Sequence, residues 1–298
     1  MTIHAHEYKP RAVWRRKGRQ DKSRLFLGFE LEVEILEDEN DPCDCCRKRD
    51  CHGCEKLYRD TPQGVARMLE ERLGHRDPKG PFVYFKDDGS INCGFEMVSH
   101  PMTYGWIRSH RRLLKRALRL LRWRNADAAS NCGLHVHVSR AALSQNTIDR
   151  MVDFVYDNPG FIERISRRDP DDLYEWAAVH LEEEYDDYVE DDGEVNIENA
   201  KNAIKRGRLG SRCVALNTSH KKTLEFRLFA STTDDAEFFQ ALEFAHAVAT
   251  FCGKRVALKV RRFADWVKTH RGTYPNLARL LASTVARRWP GMSRTGAA

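Results

Sequence analysis

Alternation between apolar and acidic positions is the first pattern along the chain. In FLGFELEVEIL, residues 26–36, Phe29, Leu31, Val33 and Ile35 alternate with Glu30, Glu32 and Glu34. Successive side chains of a β-strand point to opposite faces, so this period of two predicts a strand with one oily face and one face carrying three like charges. Such a face is either a solvated edge or the wall of a cation site, and the segment by itself leaves both open. The alternation recurs. CGLHVHVSR sets His135 and His137 opposite Val136 and Val138, TLEFRLF sets Glu225 and Arg227 opposite Leu224 and Phe226, and DDGSINCGFEMVSHP adds Glu96. Taken singly, paired histidines are commonly surface or hydrogen-bonded residues, and a Glu/Arg pair is commonly a plain ion pair. In one shared sheet they would give a polar face with at least four Glu, two His and an Arg, a concentration that divalent cations and anionic ligands would stabilise.

The wider pattern predicts strands at 24–36, 82–86, 94–99, 133–139, 212–217 and 223–229, each bounded by Gly, Asn, Asp or Pro. Helices are predicted at 62–73, 104–123, 145–158, 172–181, 197–206, 234–252 and 275–288, with Asp234, Asp235 and Asn276 as caps. There is no internal repeat. No strand leads into a Gly-rich phosphate loop, which disfavours P-loop or Rossmann nucleotide binding.

Composition narrows the class. A chain of 298 residues, 41% hydrophobic, can bury a substantial core as one large domain or two small ones. It contains no run of about 18 apolar residues and its basic N-terminus lacks an apolar h-region, so neither a membrane span nor a signal peptide is predicted and the expected location is cytoplasmic. The net charge of +6 is segregated. Residues 182–194 hold nine acids in thirteen positions and read as a solvated insertion. By contrast WIRSHRRLLKRALRLLRWR, 106–124, reads as a basic helix with Leu114, Leu118 and Leu121 on one stripe, and 254–288 is also rich in Lys and Arg. Nucleic acid, an anionic substrate such as a nucleotide, or a merely solvated basic face would each suit that charge. Nine cysteines, five of them within 43–54, argue for thiols or metal ligands over a secreted disulfide framework. Cys43, Cys46, Cys51 and Cys54 give C-x2-C-x4-C-x2-C, two knuckle-like pairs able to hold a structural Zn²⁺, with an unmetallated loop or a redox pair as the other readings.

The ordered set of motifs resembles a known family. G-x-E-x-E (Gly28, Glu30, Glu32), then D-G-S with a downstream Glu (Asp88, Gly89, Ser90, Glu96), then C-G-x-H-x-H-V, then R-x-x-x-L-N and E-F-R, is similar to the amidoligases of the carboxylate-amine ligase superfamily, which includes glutamine synthetase and gamma-glutamylcysteine ligase. The resemblance runs over about 24–232. It implies an α+β fold like the glutamine synthetase catalytic domain: a curved, mainly antiparallel sheet of about six strands with flanking helices, whose concave face holds ATP and two or three Mg²⁺. By similarity Glu30, Glu32, Glu96, His137 and Glu225 would hold Mg²⁺, while His135 would contact phosphate or orient its neighbour. Arg227 would contact the transferring phosphoryl group, and Arg212 and Asn217 would contact phosphate or substrate.

The implied reaction is ATP-dependent: a carboxylate attacks the γ-phosphate to give an acyl phosphate and ADP, and an amine then displaces phosphate. Small-molecule or peptide carboxylates and amines are the expected substrates. Rival readings are a metal-dependent hydrolase using the same Glu/His face without ATP, and a basic zinc-knuckle protein binding nucleic acid. The expected organisation is a basic N-terminal segment, 1–23; a catalytic domain, 24–252, with insertions at 43–54 and 182–194; and a basic helical extension, 253–298, packed on that domain.

Overall fold

The computed structural model of the chain describes residues 2–35, 61–74, 79–91, 93–127, 129, 131–180, 197–208 and 213–285. The cysteine insertion 43–54, the acidic insertion 182–194 and Arg212 lie outside the described residues. Among those described, nine strands form one sheet: β1 (Ile3–His4), β2 (Phe26–Ile35), β3 (Val83–Lys86), β4 (Gly94–Ser99), β5 (Met102–Thr103), β6 (Ala126–Asp127), β7 (Gly133–Ser139), β8 (Leu216–Asn217) and β9 (Thr223–Ala230). The order is β1-β3-β4-β2-β7-β9-β8, with β5 and β6 also pairing β2. Only β1 and β3 run parallel; the other strand pairs are antiparallel. The three extra strands, β1, β5 and β6, have two residues each, too short for a periodic signal.

Among the described residues ten α-helices accompany the sheet: α1 (Pro62–Gly74), α2 (Tyr104–Ser109), α3 (Arg111–Trp123), α4 (Gln145–Tyr156), α5 (Pro159–Ser166), α6 (Pro170–Ala177), α7 (Ile197–Lys205), α8 (Asp235–Cys252), α9 (Val260–Thr269) and α10 (Pro275–Val285). The alternation in β2 decides the packing. Leu27, Phe29, Leu31, Val33 and Ile35 are all buried, and Phe29 meets Phe238 of α8 edge to face at 5.0 Å. Phe226 and Phe229 of β9 pack on Phe244 of the same helix, and Leu114, Leu118 and Leu121 of α3 join the core. Each such side chain contributes about 1.5–3 kcal/mol, and Phe29→Ala would cost about 3–5 kcal/mol. With these side chains committed to the helices, the Glu face of β2 is left for the other side of the sheet.

Several boundaries differ from the sequence pattern for local reasons. The expected helix over 104–123 is two helices, because the backbone leaves helical geometry at His110 (φ −105°, ψ 19°), whose N–H and Nδ1 both meet the Trp106 carbonyl at 2.9 Å. The expected strand at 212–217 shrinks to Leu216–Asn217, since Val214 turns away to bridge Ala178. α6 starts earlier than expected, with Pro170 in its first turn and Asp169 accepting from the Asp171 amide at 3.2 Å. α5 was hidden by its Pro-Gly start, and α9 by its dense basic composition. Asp234 caps α8, accepting from the amides of Ala236 and Glu237. Asn276 is no cap: it lies inside α10, and the buried Glu243 of α8 accepts from its amide and that of Leu277 at 2.8 Å each.

Candidate active site

Register brings the polar positions of six strands together. Glu30 lies opposite His135 and Gly28 opposite His137 across β2 and β7, and His137 lies opposite Glu225 across β7 and β9. On the other edge of β2, Glu32 lies opposite Glu96, which in turn lies opposite Lys86 of β3. Asn217 of β8 pairs with Glu225. Between Leu134 and Val136 the register of β7 and β9 shifts, so His135 faces two residues, Arg227 and Leu228, in place of one. Glu225 and Arg227, two residues apart on β9, lie on the same face.

Glu225 is the hub. Its carboxylate accepts from Arg227 Nη1 at 2.8 Å and from Asn217 Nδ2 at 3.2 Å, contacts His220 Nε2 at 3.0 Å, and lies 3.5 Å from His135 Nδ1. Burial alone would raise its pKa, but the hydrogen bond with His220 and the charges of His137, His135 and Arg227 hold it far below the ordinary range. Glu30 sits 3.4 Å from His137 Nε2 and 3.8 Å from His135 Nδ1. Burial opposes its ionisation, yet the two histidines keep it well below the usual value. Reciprocally, burial works against protonating His137, while Glu30 and Glu225 push its pKa up to about 9. His135 Nδ1 and His137 Nε2 are buried without a hydrogen-bond partner among the described residues. Ligand atoms of Glu30, His137 and Glu225 all lie within 4.8 Å of one another. Two carboxylates and an imidazole whose ligand atoms converge in this way fit a divalent cation once the imidazole is neutral.

A second cluster lies across β2. Lys86 Nζ donates to Glu96 Oε2 at 2.9 Å, and both are buried. Burial, the charge of Glu30 and a hydrogen bond to Asp88 push the Glu96 carboxyl up to about 8, against the pull of Lys86. Together these effects favour the protonated carboxyl. Asp88 gains from that proton: although burial raises its pKa, bonds with Glu96 and Ser90 bring it down to about 2. Glu32 Oε2 accepts from the Gly133 amide at 2.6 Å, and its other oxygen lies 3.7 Å from His135 Nε2.

Glu30, Glu32, Glu96, His135, His137, Asn217, Glu225 and Arg227 thus share one face, whereas Arg212 and Cys43, Cys46, Cys51 and Cys54 lie outside the described residues. Four neighbours went unnoticed in the sequence: Lys86, His220, Arg168 and His6, whose ring joins Asp88 and Glu96 in a third-partner position. Lys86 was readable from VYFK, where it alternates with Phe85. Arg168 had no such signal. It follows Arg167, whose left-handed backbone (φ 61°) ends α5 and turns the chain back to the sheet. A Cβ on Gly133 would lie 2.5 Å from Arg168 Nη2 and 2.9 Å from His135 Nε2, so the glycine of C-G-x-H-x-H makes room for that guanidinium.

A family profile described as "Putative amidoligase enzyme" matches residues 69–249, more than half of the chain. The chain belongs to the amidoligase family. The match includes Glu96, His135, His137, Asn217, Glu225 and Arg227 of this amidoligase, while Glu30 and Glu32 precede it and are tied in by strand pairing. No curated protein matches the chain. Among solved structures, the complex between the prokaryotic ubiquitin-like protein Pup and its ligase PafA is similar at a TM-score of 0.36 and 8% identity, covering 77% of this chain. The amidoligase chain spans 46% of the length of that match. Among the described residues no helix is long and apolar enough to cross a membrane.

Proposed function

We propose that this amidoligase is an ATP- and Mg²⁺-dependent carboxylate-amine ligase that works through an acyl phosphate. The observation that carries the reading is the convergence of Glu30, His137 and Glu225, with two buried imidazole nitrogens lacking partners, beside Arg227. Glu30, Glu225 and His137 would hold one Mg²⁺, and Glu32 and Glu96 a further one. When bound, Mg²⁺ offsets the negative charge of the triphosphate and aligns it for in-line transfer.

The chain's own groups do the rest. Arg227 keeps Nη1 on Glu225 at 2.8 Å and has a buried Nε without a partner, so its fork is held in place with a donor to spare for a phosphoryl oxygen. Arg168 adds a second guanidinium on the far side of His135. Asn217 spends its amide on Glu225 and its oxygen on Ser219, which suits a role in holding Glu225 and not in gripping phosphate. Lys86 holds Glu96 in place at 2.9 Å, and a cation bound by Glu96 would displace the proton that burial and Glu30 favour there. In the first step a substrate carboxylate oxygen bonds to the γ-phosphorus and the bond to ADP breaks; in the second an amine nitrogen attacks the acyl carbon and phosphate leaves. Arg212, by the family motif, would contact phosphate or substrate.

Hydroxylamine replaces the unknown amine in a test of this reading. With a panel of amino acids, polyamines and peptides as carboxylate donors, hydroxamate and ADP should appear together and only with Mg·ATP. Turnover without nucleotide would instead mark a metal-dependent hydrolase.

A further inference from the structure

The helical layer carries a second surface that shares no residue with the Glu/His face. A cavity of about 610 Å³ opens beside α3, and among the described residues its lining has no acidic one; Arg16, Lys79, Arg112, Arg116 and Arg119 dominate it, with His110 stacked on Trp106 at 4.0 Å. The basic residues of α3 divide into two sets. Arg111 and Lys115 are spent on Glu243 and Asp235 of α8, and Arg122 on the Thr233 carbonyl. Arg112, Arg116 and Arg119 face the cavity, and among the described residues no carboxylate pairs with them. Structural ion pairing therefore explains one flank of the helix and leaves the other unexplained.

Spacing adds the decisive feature. Arg112, Arg116, Arg119 and Trp123 follow one another at intervals of four, three and four residues, one helical stripe about 16 Å long. Trp123 is 62% exposed, with Arg124 over its ring at 4.3 Å. At the other margin Trp14, 51% exposed, adjoins Arg15 and Arg16 and offers its carbonyl to Lys79 at 3.3 Å. These are the two most exposed large apolar side chains among the described residues. A carboxylate-rich peptide would need the cations alone. Guanidinium groups in a row, with an exposed indole on the same stripe, match a phosphate backbone whose unpaired bases stack on aromatic rings.

We propose that this groove binds single-stranded nucleic acid, with Arg112, Arg116 and Arg119 on the phosphates and Trp123 under a base. The exposed Trp123 on the Arg112–Arg116–Arg119 stripe favours single strands, since bases in a duplex are not free to stack on a side chain. The proposal stands independently of the ligase chemistry.

Fluorescence anisotropy of the full chain with a labelled oligothymidylate of about 20 nucleotides tests it, using a polyglutamate of equal charge as competitor. The expected dissociation constant is on the order of 1–100 µM, weakening steeply with salt. Arg112→Gln/Arg116→Gln/Arg119→Gln should weaken binding at least about tenfold and lower the salt slope by about 2, the value for three lost phosphate contacts on a single strand. Trp123→Ala should weaken it about fivefold or more at unchanged slope. A control, Arg261→Gln/Arg262→Gln/Lys268→Gln on α9, should stay within about twofold, since it removes the same charge elsewhere. Absence of binding at low salt, equal losses in the control, or polyglutamate competing as well as oligonucleotide with no effect of Trp123→Ala would each overturn it. Melting temperatures of the variants within a few degrees of the wild type exclude loss of fold as the cause.

Discussion

Glu225→Gln tests the cation centre and its cost to the fold in one experiment. The carboxylate is 3% exposed and takes Arg227, Asn217 and His220 within 3.2 Å. Glutamine keeps the shape but loses the charge, so the bond from Arg227 loses its ionic acceptor and weakens by about 1 kcal/mol. Its NH₂ must also face a donor, Arg227 or Asn217, leaving one buried polar group unsatisfied at about 1–3 kcal/mol. The metal-free variant should therefore unfold about 2–4 kcal/mol more easily near pH 7. The sign with pH follows from the lowered pKa of Glu225 in the fold. Its contribution is present above the unfolded carboxyl value of about 4.3 and is lost as pH falls, so wild type and variant should converge in acid. In Mg²⁺ at about 100 times its dissociation constant, the wild type should gain about 2.7 kcal/mol and the variant almost nothing. Urea unfolding followed by circular dichroism, with EDTA and with Mg²⁺, measures both differences. A variant that keeps the full Mg²⁺ increment would refute the assignment of Glu225 as a ligand.

Arg227→Lys should hold Mg·ATP within a few-fold yet lose about 10² or more in turnover, about 2.7 kcal/mol of transition-state stabilisation; a lowered melting temperature with normal specific activity would make Arg227 a fold staple only. Gly133→Ala pushes a methyl group to 2.5 Å from Arg168 Nη2. Because that guanidinium ends a flexible side chain, stability should fall by only about 1–2 kcal/mol while turnover drops much further, and wild-type turnover would remove Arg168 from the site. Folding shifts both His137, with its pKa up at about 9, and Glu96, at about 8, toward protonated forms that a bound cation must displace. Both values are raised by folding, so what these groups add to metal-free stability is present at low pH and lost on rising, for Glu96 between about 4.5 and about 8 and for His137 between about 6.5 and about 9. Mg²⁺ affinity should accordingly climb from pH 6 to pH 9 with protons released, as calorimetry in buffers of different ionisation enthalpy would show; a flat profile speaks against displacement.

Alternation at a period of two was enough to find the principal strands and which face of each carries the candidate ligand residues, because a strand's pleat assigns each side chain to a face without reference to its neighbours. The family motifs were equally local: E-x-E, H-x-H and E-F-R are each a strand face read end to end. Pairing order is not local. That Glu30 meets His135, that Glu32 meets Glu96, and that a bulge seats Arg227 against His135 depend on which strands become neighbours and in what register. Arg168 shows the limit most clearly, since it reaches the sheet only through a left-handed turn at Arg167 and the space left by Gly133, two features 34 residues apart in sequence. The basic helix is the complementary case. Its charge was plain in the sequence, but only packing against α8 consumed Arg111 and Lys115 and left the Arg112, Arg116 and Arg119 stripe facing outward. Side-chain chemistry and local period are properties of the chain itself, whereas the pairing of charges is settled by the low-dielectric contacts that folding creates.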